Sequence, residues 1–277
     1  MPDLRDYQLL KTVEPSGPEP NVKSAVWIAA VFIVVAASAA TVYFVRSRRP
    51  VSGPAPARGV QSAQEPARPL GSDAEQIALP PLGESDALVR DLVRKITSHP
   101  QALAWLTTTG LIRNFTVVVA NVAEGTTPAG HLRVLRLSSP FQVTQRNGEI
   151  FIDPRSYDRY DGVASAAASI DPPGASRLYA TLKPRIEEAY AELGVQPASF
   201  DVALERAVVA LLQVPAVDGP VRLYPKGIGY RFADPNLERL TPAQKQLLRA
   251  GPRNVRIVQS ALRQLALTLG IPPSRLP

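Results

Sequence analysis

The sequence has no cysteine and only two histidines, His99 and His131, among its 277 residues. The absence of cysteine excludes a disulfide framework, a cysteine-ligated zinc or iron–sulfur site and a thiol nucleophile. Two histidines are too few for a histidine-rich metal site, and we expect neither a metal nor a cofactor. The G-x-S-x-G and S-x-x-K nucleophile motifs and the Walker and G-x-G-x-x-G phosphate loops are also absent. Lys226-Gly227-Ile228-Gly229 lacks a following helix signal and is predicted to be a turn.

Proline and positive charge are in excess. The chain has 28 prolines, 31 basic and 24 acidic side chains, for a net charge of +7. Proline is about twice as frequent as in an average protein, so part of the chain should be extended and unpacked. After Glu238 there are seven basic residues and no acidic one. The chain up to Glu238 is therefore nearly neutral, and the excess of positive charge lies in the C-terminal end.

An uncharged stretch of 21 residues, from Ala25 to Val45, predicts a single membrane-spanning helix that makes the lipid bilayer a partner. At about 1.5 Å per residue it spans about 31 Å, close to the ~30 Å hydrocarbon core. Trp27 and Tyr43 lie near its ends, where aromatic residues favour the interface. A cleaved signal peptide is the alternative, because Ala37-Ser38-Ala39 resembles a cleavage site. The apolar run continues beyond that site, which favours an uncleaved anchor.

The segments on either side of this stretch are polar or rich in proline. Residues 1–24 are expected to be a disordered tail, and residues 46–82, with seven prolines, a semi-extended linker. Two lysines precede the span and four arginines follow it within 15 residues. The positive-inside rule alone would place the large domain in the cytoplasm, but large domains translocate largely regardless of charge. The lack of cysteine suits an oxidising compartment, so we expect a periplasmic domain at a bacterial inner membrane.

Residues 83–270 are predicted to form one α+β domain that is mostly helical, followed by a C-terminal tail over 271–277. Apolar residues recur at helical spacing in several segments, among them 111–124 and 200–212. Asn147-Gly148 lies between alternating apolar residues and predicts a β-hairpin. A second extended stretch or hairpin is expected over 221–232.

Three local signals set expectations for helix ends. Asp153-Pro154 predicts the start of a helix that runs to about Ile170. The next helix along the chain contains Pro184, which is expected to split or kink it, because proline removes a backbone donor. Thr241-Pro242-Ala243-Gln244 predicts a capping box with proline at the first helical position.

Several blocks of this domain resemble a known family. They are Ala123-Glu124-Gly125 to His131-Leu132, the hairpin over 141–153, Ser156-Tyr157-Asp158-Arg159-Tyr160-Asp161, residues 187–194 (EEAYAELG), residues 230–235 (YRFADP) and residues 244–254 (QKQLLRAGPRN). The family is the bacterial domain of unknown function 3014, which has a single-pass anchor, a linker and this C-terminal domain. The resemblance covers about residues 80–277, implies an envelope-anchored protein and implies no activity.

Two groups of carboxylates are candidates for acid–base chemistry or ligand binding. The first contains Asp153, Asp158 and Asp161 among Tyr157 and Tyr160, and its spacing places Asp158 and Asp161 on one helix face. Aromatic faces beside carboxylates suit a carbohydrate. The second group is Glu187, Glu188 and Glu192. Interleaved arginines favour ordinary surface ion pairs at the first group, and the second is expected to be structural as well.

The basic end supplies the other candidate surface. On the last helix three arginines fall within about 80° of one another, opposite the apolar side. The predicted anion-contact residues are Lys245, Arg249, Arg253, Arg256 and Arg263. They would suit anionic lipid, nucleic acid or an acidic partner, and a solvated helix face is the alternative. Sparse aromatics and a periplasmic location argue against nucleic acid.

Together these features predict a non-catalytic interaction or scaffold domain tethered to the membrane, with an envelope protein, anionic lipid or glycan as partner. One alternative is an envelope hydrolase or carbohydrate-binding protein that uses the block 157–161. Another is a cytoplasmic, membrane-tethered basic domain that binds anionic lipid.

Overall fold

The computed structural model describes residues 69–127, 137, 139–194 and 199–277. The predicted tail 1–24, the predicted membrane helix with Ala37-Ser38-Ala39, and His131 lie outside the described residues. Within these ranges no helix is long and apolar enough to cross a bilayer.

The described part is mostly helical with one small sheet, as the α+β prediction requires. The elements in chain order are α1 (Asp86–Arg94), α2 (Pro100–Trp105), α3 (Leu111–Ala123), β1 (Val143–Arg146), β2 (Glu149–Ile152), α4 (Arg155–Asp158), α5 (Asp161–Ala168), α6 (Pro172–Ala191), α7 (Phe200–Leu212), β3 (Arg222–Lys226), β4 (Gly229–Phe232), α8 (Pro235–Arg239), α9 (Pro242–Leu248) and α10 (Gly251–Leu269). Single 3₁₀ turns lie at Leu82–Glu84 and Pro273–Arg275.

The core lies between the long helices. Helix α3 packs against α6 and α7, and α10 packs against α5, α6 and α7. Phe200 is completely buried at their centre. Its ring centroid lies 5.1 Å from that of Phe115, 5.4 Å from Tyr190 and 6.3 Å from Tyr179. Burying one such ring contributes about 1.5–3 kcal/mol, so this cluster anchors three helices to one another.

The hairpin predicted at Asn147-Gly148 is present, and the segment 221–232, expected to be an extended stretch or a hairpin, forms a second one. The two join into one antiparallel sheet of order β1-β2-β3-β4. Asn147 and Gly148 have φ values of +51° and +77°, the two positive angles that a type I′ turn needs. Gly227 has φ +57° in the turn of the second hairpin, which confirms the predicted turn. The hairpins meet where Ile150 pairs with Leu223. Leu223 and Phe232 face the core, whereas Tyr224 and Arg231 lie on the opposite face.

The helix predicted from Asp153 to about Ile170 is interrupted, and it forms α4 and α5 instead. The carbonyl of Tyr157 accepts a hydrogen bond from Tyr160 N at 3.0 Å, a 3₁₀ contact, and a second from Asn254 Nδ2 at 3.1 Å. These bonds replace the α-helical bond to the next turn. The prediction failed because the competing donor, Asn254, comes from a distant part of the chain.

Helix α6 runs through Pro184 without a break, so the predicted split does not occur. Pro184 is exposed, whereas Leu182 and Ile186 on either side of it are buried. The core contacts of that buried face hold the two halves in one helix despite the missing backbone donor.

The packed unit extends beyond residues 83 and 270, the boundaries expected from sequence. Leu70 is buried, and Gly71 N donates to Leu269 O at 2.9 Å. Farther along the same segment, Arg185 Nε donates to Pro80 O at 2.8 Å. At the other end Ile271 is buried. Residues 70–82, expected to be linker, therefore pack against α6 and α10 because their backbone and apolar groups find partners there.

Candidate functional site

The block 157–161 joins α4 to α5 and packs against the first turn of α10. Gly251 begins α10 with φ +81°, and a Cβ there would lie 2.4 Å from Cγ of Tyr157. The Tyr157 ring therefore rests on the glycine backbone. Tyr160 is 1% exposed, and burial raises the pKa of both tyrosines. Both rings are packed against the domain, which leaves little open aromatic face for a sugar.

The two aspartates of this block do not act as a pair. Asp161 Oδ2 accepts from Arg253 Nη1 at 3.0 Å, and its Oδ1 accepts from Asn254 Nδ2 at 2.9 Å. Asp158 is exposed on α4, which the break separates from α5. The shared helix face expected from their spacing is therefore not formed. Nearby, the hydrogen bonds from Arg155 hold the pKa of Asp153 below its usual range.

The glutamates of the second group each have a partner in the fold. Glu187 accepts from the backbone N–H of Phe200, where α7 begins, at 3.1 Å. Glu188 pairs with Arg185 at 2.7 Å. Glu192 accepts two bonds from Arg113, at 2.6 and 2.8 Å, and they lower its pKa. Each glutamate of this group therefore has a hydrogen-bond or ion-pair partner within the fold.

His99 lies within hydrogen-bond distance of a serine, but it donates to the serine oxygen, which does not suit nucleophilic catalysis. Its Nδ1 accepts from Gln101 N at 3.3 Å and caps α2. The proton must then be on Nε2, which lies 3.2 Å from Ser165 Oγ and donates to it. A catalytic base would instead accept the serine proton. In the described ranges no three His, Asp or Glu side chains are grouped to hold a metal ion.

Most of the predicted anion-contact residues find an acceptor within the chain. The contacts are Lys245–Glu238 at 3.2 Å, Arg253–Asp161 at 3.0 Å, Arg256–Asp218, and Arg263 with the backbone oxygen of Pro277 at 2.5 Å. The acidic partners all precede the basic end in the chain. The excess of basic residues counted after Glu238 therefore does not correspond to a free basic surface in the fold. Arg249 differs from the others, because its only described hydrogen-bond acceptor is the neutral side-chain amide of Gln246, at 3.4 Å.

Arg249 and Tyr160, which the sequence assigned to separate sites, meet through Gln246. Gln246 Nε2 donates to Tyr160 Oη at 3.2 Å, and Arg249 Nη1 lies 3.4 Å from Gln246 Oε1. On the other side of Tyr160, Arg159 Nη2 lies 3.5 Å from the same hydroxyl. Arg159 forms no ion pair with any carboxylate that the structure describes. We refer to Arg159, Tyr160, Gln246 and Arg249 as the arginine cluster.

Aromatic rings support both guanidinium groups of the arginine cluster. Arg249 lies over Phe232 at 5.5 Å, and Arg159 over Phe141 at 5.7 Å. Phe141 in turn contacts Tyr230 of β4, with ring centroids 6.2 Å apart. Burial lowers the pKa of Arg249, and the nearby Tyr160 and Glu238 offset this effect only in part. Sequence reasoning missed Arg159 and Gln246 because only the tertiary fold brings them to Arg249.

The hairpin β3–β4 exposes three large apolar or aromatic side chains. Ile228 in its turn is 64% exposed, and Tyr224 and Tyr230 are each 36% exposed. Arg222 and Arg231 lie over the ring of Tyr224 at 5.1 and 5.0 Å. We call residues 222–232 the basic aromatic hairpin. The signal that could have found it is an isoleucine at a turn position, where polar residues or glycine are usual.

Comparison with known proteins gives a family but no relative of established activity. The model of the family described as "Protein of unknown function (DUF3014)" matches residues 111–266, more than half of the chain. No curated protein and no solved structure matches the chain. The match covers helices α3 to α10, including the arginine cluster and the basic aromatic hairpin. The chain therefore belongs to the DUF3014 family.

Proposed function

We propose that this protein is a membrane-anchored, non-catalytic interaction domain, and that its basic aromatic hairpin contacts the anionic surface of the bilayer. The observation that carries the proposal is Ile228, which is 64% exposed at the tip of the hairpin turn. A large apolar side chain in this position loses contact with water only if something outside the domain covers it.

The chemistry around Ile228 matches a lipid interface. Residues 222–232 contain Arg222, Lys226 and Arg231 and no acidic residue. Arg222 pairs with Glu149 at 2.8 Å, which leaves Lys226 and Arg231 without a described acidic partner. Tyrosine rings favour the headgroup level of a bilayer, and basic side chains favour anionic headgroups.

The contact is weak alone and sufficient when tethered. Lys226 and Arg231 contribute about 1 kcal/mol each near an anionic surface, and covering Ile228 adds about 1–2 kcal/mol. A total of about 3–4 kcal/mol corresponds to a dissociation constant of a few millimolar. The predicted anchor and residues 46–68 would form a tether of root-mean-square length roughly 25–30 Å. Such a tether supplies a millimolar effective concentration, so the contact is populated.

The anchor and the location complete the proposal. We propose that residues 25–45 cross the bacterial inner membrane once and that the domain lies in the periplasm. Lipid contact by the hairpin does not depend on which side the domain occupies. A reporter fused to the C-terminus, active only in the periplasm, supports the location, and activity only in the cytoplasm contradicts it.

A hydrolase receives no support from the block 157–161. Asp161 is engaged by Arg253 and Asn254, and Tyr160 is buried. A general acid and base must converge on one substrate, and Asp158 is not held beside Asp161 for that purpose. We therefore favour a non-catalytic role.

Hydrogen exchange of the full chain, reconstituted into vesicles, tests the lipid contact. We expect residues 222–232 to exchange more slowly in vesicles with about 30% phosphatidylglycerol than in phosphatidylcholine vesicles, because the contact depends on charge. Ile228→Asp should abolish this difference. Leu267→Asp is the matched control, since Leu267 is 46% exposed on α10, outside the hairpin. Equal exchange of the wild-type hairpin in the two kinds of vesicle would contradict the proposal.

A further inference from the structure

The arginine cluster contains two guanidinium groups that lack a counter-ion. Arg159 and Arg249 are both half-buried, and no described carboxylate forms an ion pair with either. Arg159 Nε and Nη1 donate to the neutral backbone carbonyls of Ser156 and Ser139, at 3.0 and 2.9 Å, and Glu238 acts on Arg249 only from beyond ion-pair distance. The internal segments outside that part, residues 128–136, 138 and 195–198, contain no Asp or Glu in their sequence. A half-buried arginine is costly unless an anion is near, because desolvation penalises the charge. Arg159 lies beside the Tyr160 hydroxyl, and Arg249 is linked to it through Gln246, so the two unpaired charges favour binding of an anion from outside the fold.

The hydrogen bonds of Tyr160 lead to the same conclusion. Its hydroxyl accepts from both Arg159 Nη2 and Gln246 Nε2, and no described acceptor takes its own hydrogen. Tyr160 and Gln246 are each 1% exposed, so this missing acceptor is a buried one. A tyrosine hydroxyl can donate one hydrogen bond as well as accept, so its hydrogen is available to a further acceptor.

Reversing the Gln246 side-chain amide does not remove the shortage. Its oxygen would then accept from the Tyr160 hydroxyl, and its nitrogen would face Arg249 Nη1, at the 3.4 Å now spanned by the oxygen. Two donors would then face each other, and Arg249 would have no acceptor from the cluster. In either orientation the cluster has more donors than acceptors, which is the composition of an anion site.

We infer that Arg159, Arg249 and the Tyr160 hydroxyl form a binding site for a phosphate group. The two guanidinium charges match a phosphate of charge −1 to −2, and a single carboxylate would leave one of them uncompensated. Phe141 and Phe232 hold the guanidinium planes, so little side-chain entropy is lost on binding. The group is either a soluble phosphoester or the headgroup of a phospholipid. The inference does not rest on lipid contact by the hairpin.

Binding to the full chain in uncharged detergent tests the site. Inorganic phosphate and glycerol phosphate are the soluble probes, acetate is the carboxylate control, and phosphatidylglycerol mixed into the detergent micelles is the lipid probe. Arg159→Gln and Arg249→Gln should each weaken phosphate binding about tenfold or more, the factor that one charge-assisted hydrogen bond supplies. Arg253→Gln removes the same charge outside the cluster and should change binding less than about twofold, as expected for an exposed, screened pair. Tyr160→Phe, which keeps the ring, should weaken binding severalfold.

A measurement on the unmodified chain keeps the inference testable if these variants fail to fold. Phenylglyoxal reacts with accessible arginines, and mass spectrometry reports the rate at each one. We expect phosphate to slow the reaction at Arg159 and Arg249 and not at Arg253, compared with acetate at equal ionic strength. Protection of Arg159 and Arg249 by the soluble probes and by phosphatidylglycerol in the micelles identifies a general phosphate site, and protection by phosphatidylglycerol alone identifies a lipid headgroup site. Equal protection by acetate, protection at Arg253 as well, or no binding of any phosphate probe would overturn the inference.

Discussion

Gly251→Ala tests how tightly the block 157–161 is fixed to α10. Gly251 has φ +81°, which costs an L-residue about 1–2 kcal/mol. Its new Cβ would lie 2.4 Å from Cγ of Tyr157, and relieving such an overlap costs about a further 1–3 kcal/mol. We therefore expect the variant to lose about 2–5 kcal/mol of unfolding free energy. The assay is thermal unfolding of the full chain in uncharged detergent, followed by circular dichroism.

Gly270→Ala is the control for the backbone penalty. Gly270 ends α10 with φ +95°, and no atom lies within 4 Å of a Cβ placed there. The two variants share the backbone cost, so Gly251→Ala should lower the Tm by about 2–12 °C more than Gly270→Ala. In a Tyr157→Ala background this excess should disappear, because the ring that meets the new Cβ is gone. The reasoning is refuted if the two alanine variants are equally stable, or if the excess survives without the ring.

Three further predictions follow from single contacts. Asp201→Asn removes the carboxylate charge that binds Lys183 Nζ and the backbone N–H of Leu70. Hydrogen exchange should therefore become faster in residues 70–79 and stay slow in α3. A uniform rise in exchange, or no rise, would contradict this. Thr241→Ala breaks the observed capping box and should cost about 0.5–2 kcal/mol in thermal unfolding, whereas Thr241→Ser should cost less. Arg113→Gln should cost no more than about 1 kcal/mol at pH 7, because the pair with Glu192 is half-exposed. Because Arg113 lowers the pKa of Glu192, the difference in unfolding free energy between wild type and Arg113→Gln should shrink as the pH falls below about 5. It should vanish once Glu192 is protonated in the folded chain, and a difference that persists at about pH 2 would argue against this reasoning.

The elements that sequence predicted well are set by local chemistry. Asn147-Gly148 forms a type I′ turn because these two residues tolerate positive φ, and Thr241 with Gln244 forms a capping box within one turn of chain. The alternation of apolar residues around Asn147-Gly148 placed the first hairpin, and the segment 221–232, expected to be an extended stretch or a hairpin, forms the second. That the hairpins would join into one sheet was not predictable, because the pairing of Ile150 with Leu223 depends on the helices between them.

The failures have one cause, which is side chains that arrive from distant parts of the chain. Asn254 interrupts the helix predicted after Asp153, and core packing on both sides of Pro184 preserves the helix expected to split. The basic end looked like a free surface because its acidic partners, among them Asp161 and Asp218, precede it by many residues. Charge counted along a sequence says little about charge in space when the pairs are formed at long range.

The candidate site shows the same limit. Tyr160 and Arg249 were both selected from the sequence, for separate reasons and at separate sites. The fold places them on either side of Gln246 and adds Arg159, which the sequence suggested only as a partner in surface ion pairs. The exposed Ile228 was predicted only as part of a turn, because exposure is a property of the tertiary structure.

The depth of residue 228 at the membrane tests the central claim most directly. Because the chain has no cysteine, Ile228→Cys provides a single site for an environment-sensitive fluorophore such as NBD, and Leu267→Cys provides the control. In full chain reconstituted into vesicles with about 30% phosphatidylglycerol, we predict a blue-shifted emission at position 228 and none at position 267, since only the hairpin enters the interface. An emission at position 228 that is the same in anionic and neutral vesicles would contradict the account.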